Sequence, residues 1–244
     1  MDLQRSRTRI EVFADHWSWK DSTFPFPERC KERTIYHWRP PEFQAVARYG
    51  NALVKLVPTN WGPPTFEIDG VKMLPSARVS PYEDARRKVA LVEPRGKVVL
   101  DCCAGLGYFA ACCREAHAAH VLSFEKNADV IWLREINPWS PQADPGLTLT
   151  HADIYQAITT LPSLSVDAVL HDPPRFALAG ELYAQAFYDQ LARVLKRKGR
   201  LFHYTGSPNK ISRGRDLASE VIKRLQIAGF QAKKAGDGIV AIRT

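Results

Sequence analysis

Lys97-Val98-Val99-Leu100-Asp101-Cys102-Cys103-Ala104-Gly105-Leu106-Gly107-Tyr108 is the stretch on which the rest of the chain is organised. Val98, Val99 and Leu100 form a short apolar, partly β-branched run, which predicts a buried strand. Asp101 closes that strand, Gly105 and Gly107 permit a tight turn, and a helix is predicted from Tyr108 to about His117. A strand, a glycine loop and a helix start together form a nucleotide pocket, because glycine lets the backbone approach the ligand and the free N–H groups of the helix face an anion. Two chemistries fit this loop. Gly105-x-Gly107-x-x-Ala110 suits the pyrophosphate of a dinucleotide. The same amides also suit the carboxylate of S-adenosylmethionine, so the choice falls to later strands.

The second strand is predicted at Ala119–Glu125, and it ends in an acid twenty residues after Gly105. A carboxylate there accepts both ribose hydroxyls of either cofactor. A short helix follows (Ala128–Ile136), then Asn137-Pro138-Trp139-Ser140, read as a turn on the sheet face away from the ligands with Trp139 as a packing anchor. The third strand, Leu147–Thr150, runs into His151-Ala152-Asp153-Ile154, where an acid would hold the exocyclic amine of adenine. The expected cofactor-binding set is Tyr82, Asp101, Cys102, Cys103, Ala104, Gly105, Gly107, Tyr108, Glu125, Lys126, Asp153, Ile154 and Asp172.

The fourth strand, Val166–His171, runs into Asp172-Pro173-Pro174-Arg175-Phe176, and this motif separates the two cofactors. An exocyclic amine on a base is a poor nucleophile because its lone pair is delocalised into the ring. An enzyme that methylates it must accept its N–H bonds, so that the nitrogen moves toward sp³ and its lone pair points at the methyl donor. A carboxylate and a backbone carbonyl held by consecutive prolines supply rigid acceptors. No strong base is needed, since the proton becomes acidic only as the C–N bond forms. The expected catalytic set is Asp172, Pro173, Pro174, Arg175 and Phe176, with Phe176 or the Arg175 guanidinium plane stacking on the base.

Gly180–Leu195 reads as one amphipathic helix whose basic end, Lys196-Arg197-Lys198, complements the helix dipole and lies opposite the cleft. The fifth strand, Arg200–Gly206, brings His203 and Tyr204 near the Asp-Pro-Pro turn, as a wall of the cleft in contact with substrate or, the lesser alternative, with His203 as a catalytic group. Eight basic and no acidic residues lie between Arg193 and Arg215, and Lys210, Arg213 and Arg215 are expected to grip a phosphate backbone. A last helix (Asp216–Ala228) and two strands (Phe230–Lys234, Gly238–Arg243) complete the sheet. Upstream, Ser80-Pro81-Tyr82-Glu83 is a helix start, with serine as cap, proline in the first turn and glutamate third.

Residues 1–75 read as a small, mostly β domain and 76–244 as the cofactor domain. The first unit is rich in aromatic residues and proline (Trp17, Trp19, Phe24, Phe26, Tyr36, Trp38), with strands expected at Thr8–Phe13, Asn51–Val57 and Thr65–Val71. Its aromatics, with Arg29, Lys31, Arg33, Arg39 and Arg48, either stack bases and hold phosphates or fill a small core. The formal charge of +8 and pI ≈ 9.3 favour an anionic partner such as nucleic acid. No run approaches the ~18 apolar residues of a membrane span and the start has no apolar signal core, so the expectation is a soluble, cytoplasmic protein. The five cysteines (Cys30, Cys102-Cys103, Cys112-Cys113) lack zinc-site spacing and are expected to be buried reduced thiols, with a disulfide as the alternative for a hyperthermophilic source, and with no metal site.

With these motifs in place, residues 80–244 resemble a class I S-adenosylmethionine-dependent methyltransferase. The resemblance implies a Rossmann-like seven-stranded α/β sheet, its last strand antiparallel, preceded by the small β domain. The block His171-Asp172-Pro173-Pro174-Arg175-Phe176-Ala177-Leu178-Ala179-Gly180-Glu181-Leu182-Tyr183 is similar to that of an archaeal methyltransferase family. Phe202-His203-Tyr204-Thr205-Gly206, Asn137-Pro138-Trp139-Ser140 and Pro64-Thr65-x-Glu67-Ile68-x-Gly70 resemble it too. That resemblance implies S-adenosylmethionine as cofactor, S-adenosylhomocysteine as product and an archaeal source. It also implies N4-methylation of cytidine in small-subunit ribosomal RNA, naked or in a pre-ribosomal particle. Two departures stand out: Arg175 follows the prolines where the wider amino-methyltransferases carry an aromatic, and Cys103 stands where the loop usually has glycine. Competing readings are a polyamine aminopropyltransferase, a tRNA N-methyltransferase, a non-catalytic RNA-binding assembly factor and, last, an NAD dehydrogenase, which leaves Asp-Pro-Pro unexplained.

Overall fold

The structure, a computed structural model, describes residues 2–206, 210–211 and 215–244, with 210, 211 and 215 described at the backbone only. Residues 11–72 form short antiparallel ribbons. β1 (Glu11–Val12), β2 (His16–Trp19) and β3 (Ser22–Pro25) form one sheet, β4 (Tyr36–Arg39) and β5 (Glu42–Ala45) a hairpin, and β6 (Ala47–Tyr49), β7 (Leu53–Val57), β8 (Thr65–Ile68) and β9 (Val71–Lys72) a four-stranded sheet. Of the strand expected at Thr8–Phe13, only Glu11–Val12 pairs. Aromatic side chains on alternate positions hold the first ribbons together: Trp17 stacks on Phe24 at 4.3 Å, and Trp38 packs on Phe43 at 5.0 Å.

The remainder alternates strand and helix: α1 (Pro81–Ala90), β10 (Val98–Asp101), α2 (Tyr108–Glu115), β11 (His120–Glu125), α3 (Ala128–Ile136), β12 (Leu147–His151), α4 (Ile154–Ala157), β13 (Val166–His171), α5 (Gln185–Val194), β14 (Leu195–Tyr204), β15 (Lys210–Ile211), β16 (Arg215–Asp216), α6 (Leu217–Ile227), β17 (Phe230–Ala235) and β18 (Gly238–Arg243). The main sheet has seven strands in the order β12-β11-β10-β13-β14-β18-β17. β10 pairs parallel with both β11 and β13, while β18 runs antiparallel to both β14 and β17, so the last strand alone is reversed. The order changes direction between β10 and β13, and the crevice beyond their carboxyl ends is where such a sheet binds ligands.

Side-chain alternation along these strands supplies two cores. Val99, Val121, Ala168, Leu170 and Phe202 pack against α1, α2 and Phe66 of β8. Leu100, Val169, Leu201 and Ile239 pack against α5 and α6. Among the described residues no helix is long and apolar enough to cross a membrane.

Three local expectations change. Ser80 occupies the cap position of α1, but its hydroxyl makes no capping bond, and its carbonyl takes the Asp84 N–H at 2.9 Å instead. Gly180–Leu195 is not one helix: a 3₁₀ turn (Gly180–Tyr183) ends at extended Ala184, and α5 starts afresh. The break frees Leu182 and Tyr183 to bond the segment around Asp172. Lys196-Arg197-Lys198 accordingly lies at the start of β14 rather than at a helix end. Pairing there jumps from Val166↔Leu195 to Ala168↔Arg200, and Lys196 reaches Asp167 at 2.7 Å, on the edge opposite the crevice. Finally, the turn at 137–140 does not sit apart from the ligand loop. Ser140 Oγ donates to the Leu106 carbonyl at 2.7 Å, and the Asn137 amide donates to Ser140 Oγ and Tyr108 Oη. Trp139 is an anchor as expected, donating to Leu3 O at 3.0 Å and packing 5.5 Å from Tyr82.

Candidate active site

The glycine loop is pinned at several points. Cys102 N–H donates to Leu170 O, Ala104 N–H to Phe124 O, and Gly107 N–H to Ala104 O. The Glu125 carboxylate bridges the loop and the end of β11, accepting the Gly105 and Asn127 N–H groups at 2.9 Å each. Each oxygen can accept a further hydrogen bond. Gly105 and Gly107 both have positive φ (+52 and +78), and at Gly107 a Cβ would also lie 2.8 Å from Arg134 Nη2 and 3.0 Å from Pro141 Cδ. Glycine is therefore demanded at 107 by close approach as well as by φ. Cys103 is not among the residues with positive φ, so its side chain costs no backbone strain. Burial pushes the Cys102 and Cys103 thiols up, which keeps them protonated and unsuited to nucleophilic work.

Asp101 is 1% exposed; its Oδ2 accepts from Ser123 Oγ at 2.9 Å, while Oδ1 has no partner. Burial raises its pKa to about 7, against the lowering influence of Ser123 and Arg134. A buried carboxylate oxygen without a donor, beneath a loop whose glycines leave the backbone bare, fits a ligand carrying an ammonium and a carboxylate, as the methionine end of S-adenosylmethionine does. Asp153 caps α4 through the Tyr155 N–H at 2.9 Å, and its other oxygen stands 3.7 Å from Lys126 Nζ, which reaches Glu181 at the same distance. Ile154 is buried in the core below this edge.

At the end of β13, Asp172 is half-buried, Pro173 is buried, and Pro174, Arg175 and Phe176 are exposed. Tyr183 Oη donates to the Pro174 carbonyl at 2.9 Å, and its ring meets Phe176 edge-on at 5.4 Å. Beneath the turn, His171 Nε2–H donates to Leu182 O at 3.1 Å. The break after Tyr183 thus clamps the Asp-Pro-Pro segment from both sides. Phe176 and Leu178 remain 39% and 67% exposed, an apolar lip beside the turn.

Several expected residues lie elsewhere. His203 is fully buried: Nδ1–H donates to Tyr204 O at 2.8 Å, Nε2 accepts from Tyr188 Oη at 3.0 Å, and burial lowers its pKa to about 4. With both nitrogens occupied it is a neutral support behind the cleft and not a substrate contact. The Tyr82 hydroxyl donates to Glu115 at 2.7 Å and the Tyr108 hydroxyl to Pro64 O at 2.8 Å, so both rings are buried with their hydroxyls engaged by the protein itself. Arg213 lies outside the described residues, as do the side chains of Lys210 and Arg215.

The sequence reading missed a charged cluster. Lys88, on α1 and only 4% exposed, reaches Asp84 Oδ2 at 2.7 Å and Asp237 Oδ2 at 3.5 Å, and its ammonium sits 4.2 Å over the Tyr204 ring. His171 pairs with His203 across β13 and β14, so Tyr204 stands beside Asp172 in the next register position. Burial raises the Asp172 carboxyl to about 6; Lys88 opposes that rise, while Asp84 and Asp237 add to it. Asp84 and Lys88 are spaced as an ordinary exposed helix pair. The signal that buries them is Asp237, nearly 150 residues away in the β17–β18 turn.

A doubly wound sheet of this order, with a glycine loop after its central strand, acids after the next two and a proline-rich turn after the fourth, defines a Rossmann-like S-adenosylmethionine-dependent methyltransferase. The chain belongs to the methyltransferase small domain family, which matches residues 89–225. It is 42% identical over 219 residues to the uncharacterized protein MJ1233 of Methanocaldococcus jannaschii, spanning 87% of this chain and 74% of that protein. In fold it resembles spermidine synthase from Thermotoga maritima (TM-score 0.61, 13% identity, 89% of this chain and 80% of that one). It also resembles the tRNA m1G37 methyltransferase of M. jannaschii (TM-score 0.50, 18% identity, 87% and 64%). Its cofactor is S-adenosylmethionine.

Proposed function

We propose that this methyltransferase acts on RNA and modifies an exocyclic base amine, the N4 of cytidine in small-subunit ribosomal RNA, to the mono- or dimethylated product. The observation that carries the reading is the clamped Asp172-Pro173-Pro174 turn, which stands at the carboxyl end of β13 beside the glycine loop. In this reading Asp101, Glu125, Asp153 and the Gly105–Gly107 backbone hold the cofactor by its ammonium, ribose, adenine and carboxylate. The bound cofactor supplies an electrophilic methyl group and leaves as S-adenosylhomocysteine. Asp172 and a carbonyl of the proline turn accept the two N–H bonds of the base amine and hold its lone pair toward the methyl. Rigid acceptors achieve this by orientation, without a strong base. Phe176, exposed at the lip, stacks on the flipped base, and Arg175 contacts phosphate or stacks beside it. The net charge of +8 supports an RNA partner.

One observation favours a second reading. Asp84, Asp172 and Asp237 gather near one cleft, which suits a cationic polyamine, and the likeness to spermidine synthase extends over the β-rich N-terminal portion. Lys88 sits among these carboxylates and compensates them, which opposes that reading. Incubation of the purified protein with methyl-labelled cofactor and small-subunit rRNA, and separately with decarboxylated S-adenosylmethionine and putrescine, tests both. The expected result is label in RNA, lost in Asp172→Ala with cofactor binding retained. Aminopropyl transfer to putrescine with unlabelled RNA would replace the first reading with the second.

A further inference from the structure

The β-rich N-terminal portion contains a feature that neither the cofactor nor the amine site uses. A cavity of about 330 Å³ opens between the β2–β5 ribbons and the end of α3. Its walls are aromatic: Trp19, Phe24, Tyr36, Trp38 and Phe43 line it, and Ile136 and Pro138 are among the residues of its floor. Phe24 meets Trp38 edge-on at 5.6 Å and Trp38 leans on Phe43 at 5.0 Å, so the rings brace one another and the wall is preformed. These rings are only half-buried, which separates them from a closed core. The volume is at the low end of that of small-molecule pockets, room for one planar ring system.

The charge around the cavity selects among ligands. No carboxylate lines it. Burial, and then the neighbouring Arg39, lower the pKa of His37, the one histidine of the lining. Cations adjoin its lining residues: Lys20 Nζ lies 4.8 Å over the Trp19 ring, Arg39 follows His37 by two positions on the same strand, opposite Glu42, and Arg5 donates to the Pro138 carbonyl. An aromatic slot with a cationic rim repels a cationic guest and accepts a neutral heterocycle whose attached groups are anionic. We propose that this cavity holds an unpaired nucleobase of single-stranded RNA, with its flanking phosphates on Lys20, Arg39 and Arg5, as a second RNA contact outside the amine site. The inference rests on the reading of the protein as an RNA methyltransferase and deepens it. Pro138 of the floor belongs to the turn whose Ser140 bonds the glycine loop, so a strand held here is held in fixed relation to the catalytic sheet.

The test uses the full-length protein with S-adenosylhomocysteine and a labelled single-stranded oligoribonucleotide, read by fluorescence anisotropy. Trp19→Ala and Tyr36→Ala each lower RNA affinity by about 5- to 150-fold, the effect of removing one stacking partner. Trp19→Phe, which keeps a π face, restores most of it. In turnover, the alanine variants raise KM for RNA and leave kcat at saturating RNA unchanged. Circular dichroism and thermal melting identify a variant that has failed to fold, and the Trp19→Phe comparison then decides. Unchanged RNA affinity in folded Trp19→Ala and Tyr36→Ala would overturn the proposal. So would equally tight binding of free nucleoside monophosphates, which would make the guest a free nucleotide. Binding of RNA through these residues with no RNA methylated would leave the cavity assignment standing and overturn the proposed reaction instead.

Discussion

Replacing Lys88 by methionine removes a buried cation of the cleft while conserving most of its shape. In the native protein the Lys88 ammonium is only 4% exposed and lies 2.7 Å from Asp84, 3.5 Å from Asp237 and 4.2 Å from the Tyr204 ring centre. Burial disfavours the charged amine, but Asp172, Asp84 and Asp237 outweigh it and keep the lysine protonated. Asp172 in turn has its pKa raised to about 6 by burial, with Lys88 as the influence that restrains it. In Lys88→Met every remaining influence on Asp172 acts upward. A neighbouring opposite charge lowers a carboxyl by about one to three pH units, so its loss moves the acid limb of kcat/KM up by about one unit or more. At pH 7 the ionised fraction then falls from about nine-tenths to about half or less, and the rate by about twofold or more. Activity returns at alkaline pH. The sign for stability is opposite to that for activity. A carboxyl raised in the folded state stabilises below its unfolded value near 3.8, and that contribution is lost as pH rises through about 6. Leaving Asp84 and Asp172 without their cation costs on the order of 3 kcal/mol at neutral pH, the low end for a broken buried pair because Asp237 is partly exposed. The assay is the initial rate of labelled methyl transfer against pH for the wild type, Lys88→Met and Asp172→Asn. The asparagine variant keeps a carbonyl acceptor that does not titrate, so its acid limb disappears. An acid limb in Lys88→Met that coincides with that of the wild type would refute the coupling of Lys88 to Asp172.

Further substitutions probe the supports of the site. Gly107→Ala forces a Cβ at positive φ to within 2.8 Å of Arg134, and it is expected to destabilise the protein by about 1–3 kcal/mol and weaken cofactor binding, read by melting and calorimetry. Tyr183→Phe deprives the Pro174 carbonyl of its donor and is expected to lower kcat by up to about tenfold with cofactor affinity unchanged. Asn137→Ala leaves Tyr108 Oη and Ser140 Oγ without their amide donor, at a cost of about 1–3 kcal/mol, seen as a shift in the denaturant midpoint.

The centre of the sheet was legible in the sequence because β10, β11 and β13 are short, mostly apolar runs that change to a polar or glycine punctuation at their ends. Val98–Asp101 and Val166–His171 are read to within a residue from pattern alone. The order of the strands follows from the parallel crossover rule once the glycine loop marks the central one. The helix predicted at Gly180–Leu195 fails for a tertiary reason: amphipathic spacing continues through Ala184, but the chain extends there so that Leu182 and Tyr183 can bond His171 and Pro174. The charged cluster around Lys88 was invisible because its burial depends on a turn distant in sequence, while its i,i+4 spacing looks like a solvated pair. His203 misled in the opposite direction. It was read with Tyr204 as part of the cleft wall, with a catalytic role as the lesser alternative, and strand alternation turns His203 inward to Tyr188, behind that wall.

The reaction is read most simply from the modified nucleoside. Unmodified small-subunit rRNA is incubated with the protein and methyl-labelled S-adenosylmethionine, digested to nucleosides and analysed by mass spectrometry, beside Asp172→Ala. Label in N4-methylated cytidine, absent with Asp172→Ala although that variant still binds the cofactor, is the expected result. Label on a ring carbon or a ribose hydroxyl, or undiminished transfer by Asp172→Ala, would contradict the assignment of the Asp172-Pro173-Pro174 turn as the acceptor of an exocyclic amine.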